Sequence, residues 1–214
     1  FNNISVVDPL YTIPFLILLT ILFFYKKESN TRRLITWLSV LISTAYIGYA
    51  TFNKFHSEKI FKHALTVNKI NYQSFSTSPP LFTSFMWNMI AYTDSTIYVA
   101  EYSIFQKKKK IEFVEYPRNL ELLEDAKNSE AIQTLLWFSQ GNYFVEKGLN
   151  DTIDFFNIKW GRTDYTQTKS KDAFRFYVKI YKDKNGKYNF TKVEPNFKKR
   201  DIKAYFSLLW NRIF

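Results

Sequence analysis

The sequence has no cysteine and only two histidines among its 214 residues. Without cysteine, disulfides, thiolate catalysis and zinc sites of the finger type are excluded. With only His56 and His63 available, a metal site built inside this chain would depend mainly on carboxylates, which favours hard ions over zinc. On a predicted helix these two histidines lie about 10 Å apart along the axis, so one ion cannot bind both. We expect them to be interfacial or surface imidazoles.

Charged residues are scarce in two long stretches near the start. Residues 6–25, VVDPLYTIPFLILLTILFFY, carry one charge, Asp8, and residues 34–52, LITWLSVLISTAYIGYATF, carry none. About 20 apolar residues in a helix span the roughly 30 Å hydrocarbon core of a bilayer. Pro9 and Pro14 fall in the first turns of the first stretch, where a missing N–H is tolerated. Residues 1–52 are therefore predicted to form a two-helix transmembrane hairpin; the alternative is a buried helical hairpin of a soluble protein.

The predicted loop between these two spans, KKESNTRR, is basic and contains the single acid Glu28. Its cations are Lys26, Lys27, Arg32 and Arg33. Short basic loops tend to stay on the cytoplasmic side of a membrane, which predicts a non-cytoplasmic position for the residues after 52. The four basic side chains are predicted to contact lipid headgroups.

After residue 52 the sequence becomes charged and rich in strand patterns. This predicts an α+β extramembrane domain over residues 53–214, with a largely antiparallel sheet and flanking helices. A helix is predicted to continue out of the second span over residues 53–70, and further helices are predicted at 119–141 and 198–214. Strands are predicted as a hairpin over 86–105 and at 111–116, 142–147, 152–161, 173–182 and 187–194.

Four consecutive lysines, Lys107, Lys108, Lys109 and Lys110, form the densest charge cluster of this second part. A solvated turn between strands is the simplest interpretation. For a domain tied to a bilayer, anionic headgroups are the next, since each basic residue near such a surface contributes roughly 1 kcal/mol. Nucleic acid is the least favoured partner, although lysines beside aromatic strands are compatible with it.

Other charged residues suggest catalysis only weakly. The acid pairs are Asp151/Asp154 and Glu124/Asp125. Neither pair is flanked by histidine or by a glycine-rich phosphate loop, so we expect solvated or capping carboxylates. Arg162, in the segment KWGRTDY, is expected to form an ion pair with Asp154 or Asp164 at a strand end rather than to bind phosphate.

Asp8 is the most informative acid, because it stands where the first apolar stretch begins. A carboxylate at a helix start lies at the positive end of the helix dipole and can cap free N–H groups, which contributes on the order of 1 kcal/mol. Acids at membrane depth also tend to be functional. From the residues alone, a helix cap and a place beside a polar site at the membrane surface both stay open.

Several blocks of the sequence occur in a familiar order. They are NISVVDPLYTIPFLILL, a basic loop, a second span, a lysine-containing helix, STSPPLFTSFMWNMIAYTDSTIYVAEYSIF, LLWFSQGNYFV and FNIKWGRTDY. In this order the chain resembles the C-terminal half of bacterial membrane-bound metal-dependent hydrolases, a family also described as LexA-binding, inner-membrane-associated hydrolases. The resemblance covers essentially all of the chain. Its most specific parts are the blocks VVDPLYTIP and PPLFTSFMWNMIA.

The resemblance implies a multi-pass protein of the bacterial inner membrane, in which histidine-containing motifs in helices before the DPLYT block hold a divalent metal. Those motifs are absent from this sequence, which begins at Phe1 in mid-pattern. We therefore expect a fragment that binds no metal and is inactive alone. Asp8 is the one position carried over, as a residue near the site.

For the whole protein, the resemblance implies a metal-activated water that attacks an ester-like bond. The expected partners are the lipid bilayer and the protein's own upstream transmembrane helices. The alternative function, from a different class, is a non-catalytic, membrane-tethered domain that binds lipid headgroups or an envelope protein.

Overall fold

Helices alternate with two groups of antiparallel strands in the computed structural model, which describes residues 2–106, 111–162, 174–193 and 202–213. In chain order the elements are α1 (Pro9–Leu22), α2 (Asn30–Val67), β1 (Ser74–Ser78), β2 (Met86–Tyr92), β3 (Thr96–Ser103), β4 (Val114–Pro117), a 3-10 helix (Leu120–Leu123), α3 (Glu130–Ser139), β5 (Tyr143–Lys147), β6 (Ile153–Arg162), β7 (Phe174–Lys182), β8 (Tyr188–Lys192) and α4 (Ile202–Ile213). The predicted α+β class with antiparallel strands is confirmed.

The two N-terminal helices differ in length. Helix α1 has 14 residues, about 21 Å at 1.5 Å per residue, which is shorter than the roughly 30 Å of a hydrocarbon core. Helix α2 has 38 residues, and the apolar part near its start has a mean hydropathy of 1.4 with 11 % of it buried. Within the described ranges, α2 is the one helix long and apolar enough to cross a membrane. Two complete spans are therefore not confirmed.

Helix α2 continues past residue 52 without a break, as predicted, but its environment changes along its length. Its first half lies beside α1, and the hydroxyl of Ser43 donates to that of Tyr11 at 2.8 Å. Its second half has a buried face with helical spacing, which includes Ala50, Ser57 and Phe61. This face covers the sheet described next, so one helix belongs to both parts of the protein.

The eight strands form two sheets, each of four strands in sequential order: β1–β4, called sheet A, and β5–β8, called sheet B. All pairs are antiparallel. The sequence analysis predicted one largely antiparallel sheet, so the predicted number of sheets was wrong. Strand β4 has only four residues and ends at Pro117, after which the chain enters the 3-10 helix. A proline cannot donate to a sheet ladder, so it favours an end of pairing here.

The two sheets pack face to face through a largely aromatic core. Sheet A contributes Ile90, Ile97, Val99 and Tyr116, and sheet B contributes Phe144, Phe156, Ile158, Phe174 and Tyr177. Across the two sheets, the ring centroid of Tyr116 lies 4.9 Å from that of Phe144 and 5.2 Å from that of Phe174. Alternate residues of the strands point to the opposite faces, which α2 covers on sheet A and α3 covers on sheet B. The layers are therefore α2, sheet A, sheet B and α3.

The helix predicted over residues 119–141 is divided. A 3-10 helix and a turn precede α3, which begins only at Glu130. The intervening polar run EDAKNS favours turns and caps over helix interior, because its Asp, Asn and Ser side chains compete for backbone hydrogen bonds. Helix α3 ends at Ser139, where Gln140 and Gly141 both adopt positive φ. Gly141 is the last residue of the predicted helix, and its φ of 80° is one that glycine adopts readily.

Candidate functional site

The most connected polar group of the N-terminal part is the carboxylate of Asp8, which is 2 % exposed. Its Oδ1 accepts a hydrogen bond from the Leu10 N–H at 3.1 Å. Its Oδ2 accepts one from the Ser84 hydroxyl at 2.7 Å and one from the Tyr46 hydroxyl at 2.8 Å. We call Asp8, Tyr46 and Ser84 the Asp8 junction, because they join α1, α2 and the loop before β2.

Local sequence explains why Asp8 caps α1. Pro9 occupies the first helical position and has no N–H, so Leu10 offers the first free donor. The residue before a proline is held in the extended region, and Asp8 has φ −112° and ψ 105°. An aspartate at an N-cap in this conformation accepts from the second or third helical N–H. The predicted helix cap is confirmed.

The backbone beside the junction is also fixed to the loop before β2. The N–H of Phe82 donates to the Val7 carbonyl at 3.0 Å and lies 3.0 Å from the Ser5 hydroxyl. Phe82 has φ 71°, a left-handed conformation that is unusual for a bulky residue and costs of the order of 1–3 kcal/mol. Hydrogen bonds to two residues of the N-terminal segment hold the loop in this conformation.

Aromatic rings extend the junction in both directions. The rings of Tyr11 and Tyr46 lie 6.0 Å apart, and those of Tyr46 and Tyr49 lie 6.4 Å apart. The ring of Tyr49 in turn lies 6.4 Å from that of Phe85, the residue before β2. The sequence had indicated Asp8 but neither Tyr46 nor Ser84. Tyr46 could have been identified as a hydroxyl inside an uncharged span, and Ser84 as a serine inside the specific block PPLFTSFMWNMIA.

The chain positions described here hold no group of three or more His, Asp or Glu residues that could bind a metal ion. The groups that meet Asp8 are two hydroxyls and an amide. His56 lies between the rings of Phe52 and Tyr102, at 6.3 Å from each, and His63 is exposed. The Asp8 junction does not bring a histidine to the carboxylate.

The basic residues predicted to contact headgroups have different positions. Arg32 donates to the carbonyls of Leu22 at 3.2 Å and Tyr25 at 3.0 Å, and so caps the C-terminal end of α1. Lys26, Lys27 and Arg33 are exposed. The four lysines from Lys107 to Lys110 lie outside the described residues. Headgroup contact stays a prediction for all of them.

The two acid pairs singled out in the sequence do not come together in one site. Glu124 and Asp125 are exposed in the turn before α3, where Glu124 pairs with Lys127. Asp151 is exposed in a turn, whereas Asp154 is buried in β6. A solvated or capping role was therefore wrong for Asp154. The partner expected for it, the Arg162 side chain, lies outside the part of the chain that the structure describes, as does Asp164.

An open hollow of about 650 Å³ lies between the end of α2 and one edge of sheet A. Its lining includes Lys69, Tyr98, Glu112 and Glu115. It shares no residue with the Asp8 junction, and its charged lining is one lysine and two glutamates at an open edge. Comparisons with protein-family models, with curated proteins and with solved structures found no match to this chain.

Proposed function

We propose that this chain is the C-terminal half of a membrane-bound, metal-dependent hydrolase of the bacterial inner membrane, and that the metal-binding residues belong to membrane helices outside this sequence. One observation carries the proposal. The blocks VVDPLYTIP and PPLFTSFMWNMIA, which are the most specific parts of the resemblance, meet in space through the bonds from Ser84 to Asp8 and from Phe82 to Val7. Because the two blocks are bonded to each other in the folded chain, we take their joint resemblance to the family as one signal rather than two chance matches.

The surface of α1 and α2 supports a position in the bilayer. Both helices expose large apolar side chains, among them Leu16, Trp37 at 68 % and Leu41 at 66 %. A contiguous apolar surface of this kind is unfavourable in water and is typical of a membrane or partner contact. In the proposal α1 lies in the bilayer beside α2, and the apolar residues 23–25 extend its 14-residue helix toward the basic loop. The loop faces the cytoplasm, which places the sheets on the other side.

Within the proposed protein, the part described here has a positioning role. A divalent metal would activate water for attack on an ester-like bond, but the described residues do not form a metal site, so we assign no chemical step to them. The Asp8 carboxylate instead fixes where α1 begins against α2 and sheet A. Helices that precede α1 would pack against a surface whose orientation this junction determines.

The first test is to read the coding sequence upstream of the Phe1 codon. The proposal expects apolar segments that carry paired His and Asp residues. It fails if the reading frame starts at or just before Phe1, or if the upstream apolar segments lack histidine.

The second test is biochemical. The protein encoded by the whole reading frame, purified in detergent, should hydrolyse a chromogenic ester or phosphodiester with manganese or zinc, and a chelator should abolish the activity. This chain alone should gain no thermal stability from either ion at sub-millimolar concentration, because the described residues do not group as ligands. A rise in its Tm with the ion would contradict the assignment of the metal to other helices.

The second candidate is a non-catalytic, membrane-tethered domain that binds anionic headgroups or an envelope protein. The formal net charge of +11 favours it, because an excess of cations attracts anionic surfaces. Metal-dependent hydrolysis by the protein of the whole reading frame would exclude it. Tight binding to anionic vesicles without any hydrolysis would favour it.

A further inference from the structure

We propose that one end of the strand-bearing domain, meaning sheets A and B with α3 and α4, is itself embedded in the bilayer that α2 crosses, among the headgroups and the outer part of the acyl chains, with Phe85, Phe105 and Trp210 in contact with lipid. This inference rests on the proposed membrane position of α1 and α2. It adds a second attachment of the domain to the membrane, beside the covalent continuation of α2.

The spacing of charges along α2 gives the depth of the Asp8 junction in the bilayer. No charged residue occurs between Arg33 and Lys54, and the 20 residues between them extend about 30 Å as a helix, the thickness of a hydrocarbon core. Tyr46 is 13 residues from Arg33, or about 20 Å along the same axis. A tilt of about 20° shortens these lengths by only about a twentieth. The backbone of Tyr46 therefore lies about 10 Å short of the level where the uncharged stretch ends.

The strand-bearing domain reaches this depth. Ser84, in the loop before β2, donates to the same carboxylate oxygen as Tyr46. The loop must then lie below the level of Lys54, past the headgroups and in the outer part of the acyl-chain layer. Its sequence suits that position, because no charged residue occurs between Lys69 and Asp94. The buried Asp8 carboxylate is tolerated there because three hydrogen bonds satisfy it.

A series of aromatic contacts leads from α2 onto the strand-bearing domain. The ring of Tyr49 lies 6.4 Å from that of Phe85, which lies 5.3 Å from that of Phe105. Phe105, just after β3, is 45 % exposed. Aromatic side chains are enriched at the boundary between hydrocarbon and water, where their rings contact apolar groups without leaving the polar layer. This series continues the apolar surface of α2 around the end of sheet A.

Helix α4 lies at the same end of the sheet. The Ser103 hydroxyl donates to the Ile213 carbonyl at 2.5 Å, and Leu209 and Ile213 pack against Met86. Trp210 on this helix is 64 % exposed. An exposed tryptophan on a helix at the same end of sheet A as Phe105 has the position of an interfacial anchor. The partner that fits this surface is therefore the lipid of the same membrane.

The absence of cysteine from this chain allows a direct test. Phe105→Cys and Trp210→Cys variants carry a nitroxide label and are reconstituted into vesicles of phosphatidylcholine and phosphatidylglycerol. Electron paramagnetic resonance then compares collisions of each label with oxygen, which concentrates in lipid, and with a water-soluble nickel chelate. Leu16→Cys in α1 is the lipid-facing control, and Trp137→Cys on the outer helix α3 is the water-facing control. All four positions are exposed, so the label requires no repacking.

We expect the oxygen-to-nickel ratio at positions 105 and 210 to exceed that at 137 several-fold and to approach that at 16. If positions 105 and 210 match 137 while 16 faces lipid, the second attachment is wrong and the membrane position of α1 and α2 stands. A lipid-facing label at only one of the two positions also overturns the proposed surface. If position 16 is water-facing, the proposed membrane position fails, and with it the premise of this inference.

Discussion

The Asp8 carboxylate joins three parts of the chain that are far apart in sequence, since Tyr46 and Ser84 lie 38 and 76 residues away. A buried carboxylate without partners would cost several kcal/mol, so its three donors have to be in place whenever α1 is docked. Hydrogen bonds to a charged group contribute about 1.5–3 kcal/mol each, more than neutral ones. One side chain therefore couples the start of α1 to the position of sheet A.

Replacement of Asp8 by alanine should destabilise the protein strongly. Asp8→Ala leaves two hydroxyls and one helix N–H without their acceptor, which we expect to cost about 3 kcal/mol of unfolding free energy. For a chain of this size that corresponds to a fall in Tm of about 6–12 °C. Thermal unfolding in detergent micelles, followed by circular dichroism, measures it. Asp125→Ala, at an exposed acid, is the matched control; equal Tm values for the two variants would show that the junction contributes little.

Tyr92 gives the stability of the protein a dependence on alkaline pH. Its hydroxyl donates to Asn142 at 2.6 Å, and burial raises the pKa of Tyr92 from 10.0 to about 12, against a smaller opposite effect of Arg118. Between these values the phenol is ionised in the unfolded chain and neutral in the folded protein. The neutral Tyr92 side chain thus makes its full contribution to the free energy of unfolding below pH 10. This contribution is lost as the pH rises to about 12, and the free energy of unfolding falls by about 1.4 kcal/mol per pH unit.

The measurement is denaturant unfolding at pH 9 and pH 11 of the wild type and of Tyr92→Phe, because the phenylalanine has no proton to lose. The wild type should lose about 1 kcal/mol more than the variant between these two values. Tyr25→Phe, at an exposed tyrosine beside α1, should keep the wild-type dependence. Parallel losses in wild type and Tyr92→Phe would contradict the effect of burial on this group.

At the scale of the elements, α2 has two environments that its sequence already distinguishes. Its first half is uncharged and exposes apolar side chains, and its second half combines lysines with a buried stripe against sheet A. A helix without Pro or a capping stop at residue 52 has no local reason to end there. The apolar first half of α2 and sheet A are therefore connected by a continuous helix of about 57 Å rather than by a linker.

A charge in the middle of the uncharged half of α2 discriminates a membrane position from a soluble one. Leu41→Arg should lower insertion into membranes, because arginine at the centre of a span costs about 2.5–3.5 kcal/mol on insertion scales. Carbonate extraction of cell membranes measures the fraction retained. Leu149→Arg, in the exposed loop after β5, should be retained like the wild type. If Leu41→Arg is retained equally, or makes the protein more soluble without loss of folding, the first half of α2 does not lie in lipid.

The sequence predicts helices, strands and caps best where neighbouring residues determine them. Strands β2–β8 and the continuation of α2 follow from alternation and from apolar spacing, and Asp8 as a cap follows from its place before Pro9. Strand β1 (Ser74–Ser78) was not predicted. The division of the region 119–141 was missed because its leucines continue a helical spacing across the turn before Glu130. The bonds from Tyr46 and Ser84 to Asp8 are set by long-range packing, for which a single sequence has no periodicity to read.

At the scale of the whole molecule, the two sheets are held together by the aromatic core between them. The sequence cannot show that strands separate into two sheets, because antiparallel pairing and face-to-face packing present the same alternation along each strand. Because residues of both sheets form this core, neither sheet buries its inner face without the other. The sheets should therefore unfold together, with α2 attached to one side and α3 to the other.

Phe156 tests that cooperativity, since its ring is 1 % exposed in the core that both sheets line. It contacts Phe144 and Phe174, whose rings pack on that of Tyr116 in sheet A. Phe156→Ala should cost about 3–5 kcal/mol, because it leaves a cavity between two rigid sheets. Hydrogen exchange followed by mass spectrometry should then show loss of amide protection in β2 and β3 as well as in β6 and β7. Leu149→Ala, at an exposed position, should leave both sheets protected. Loss confined to sheet B would mean that sheet A is stabilised by α2 alone, and that the two sheets are independent folding units.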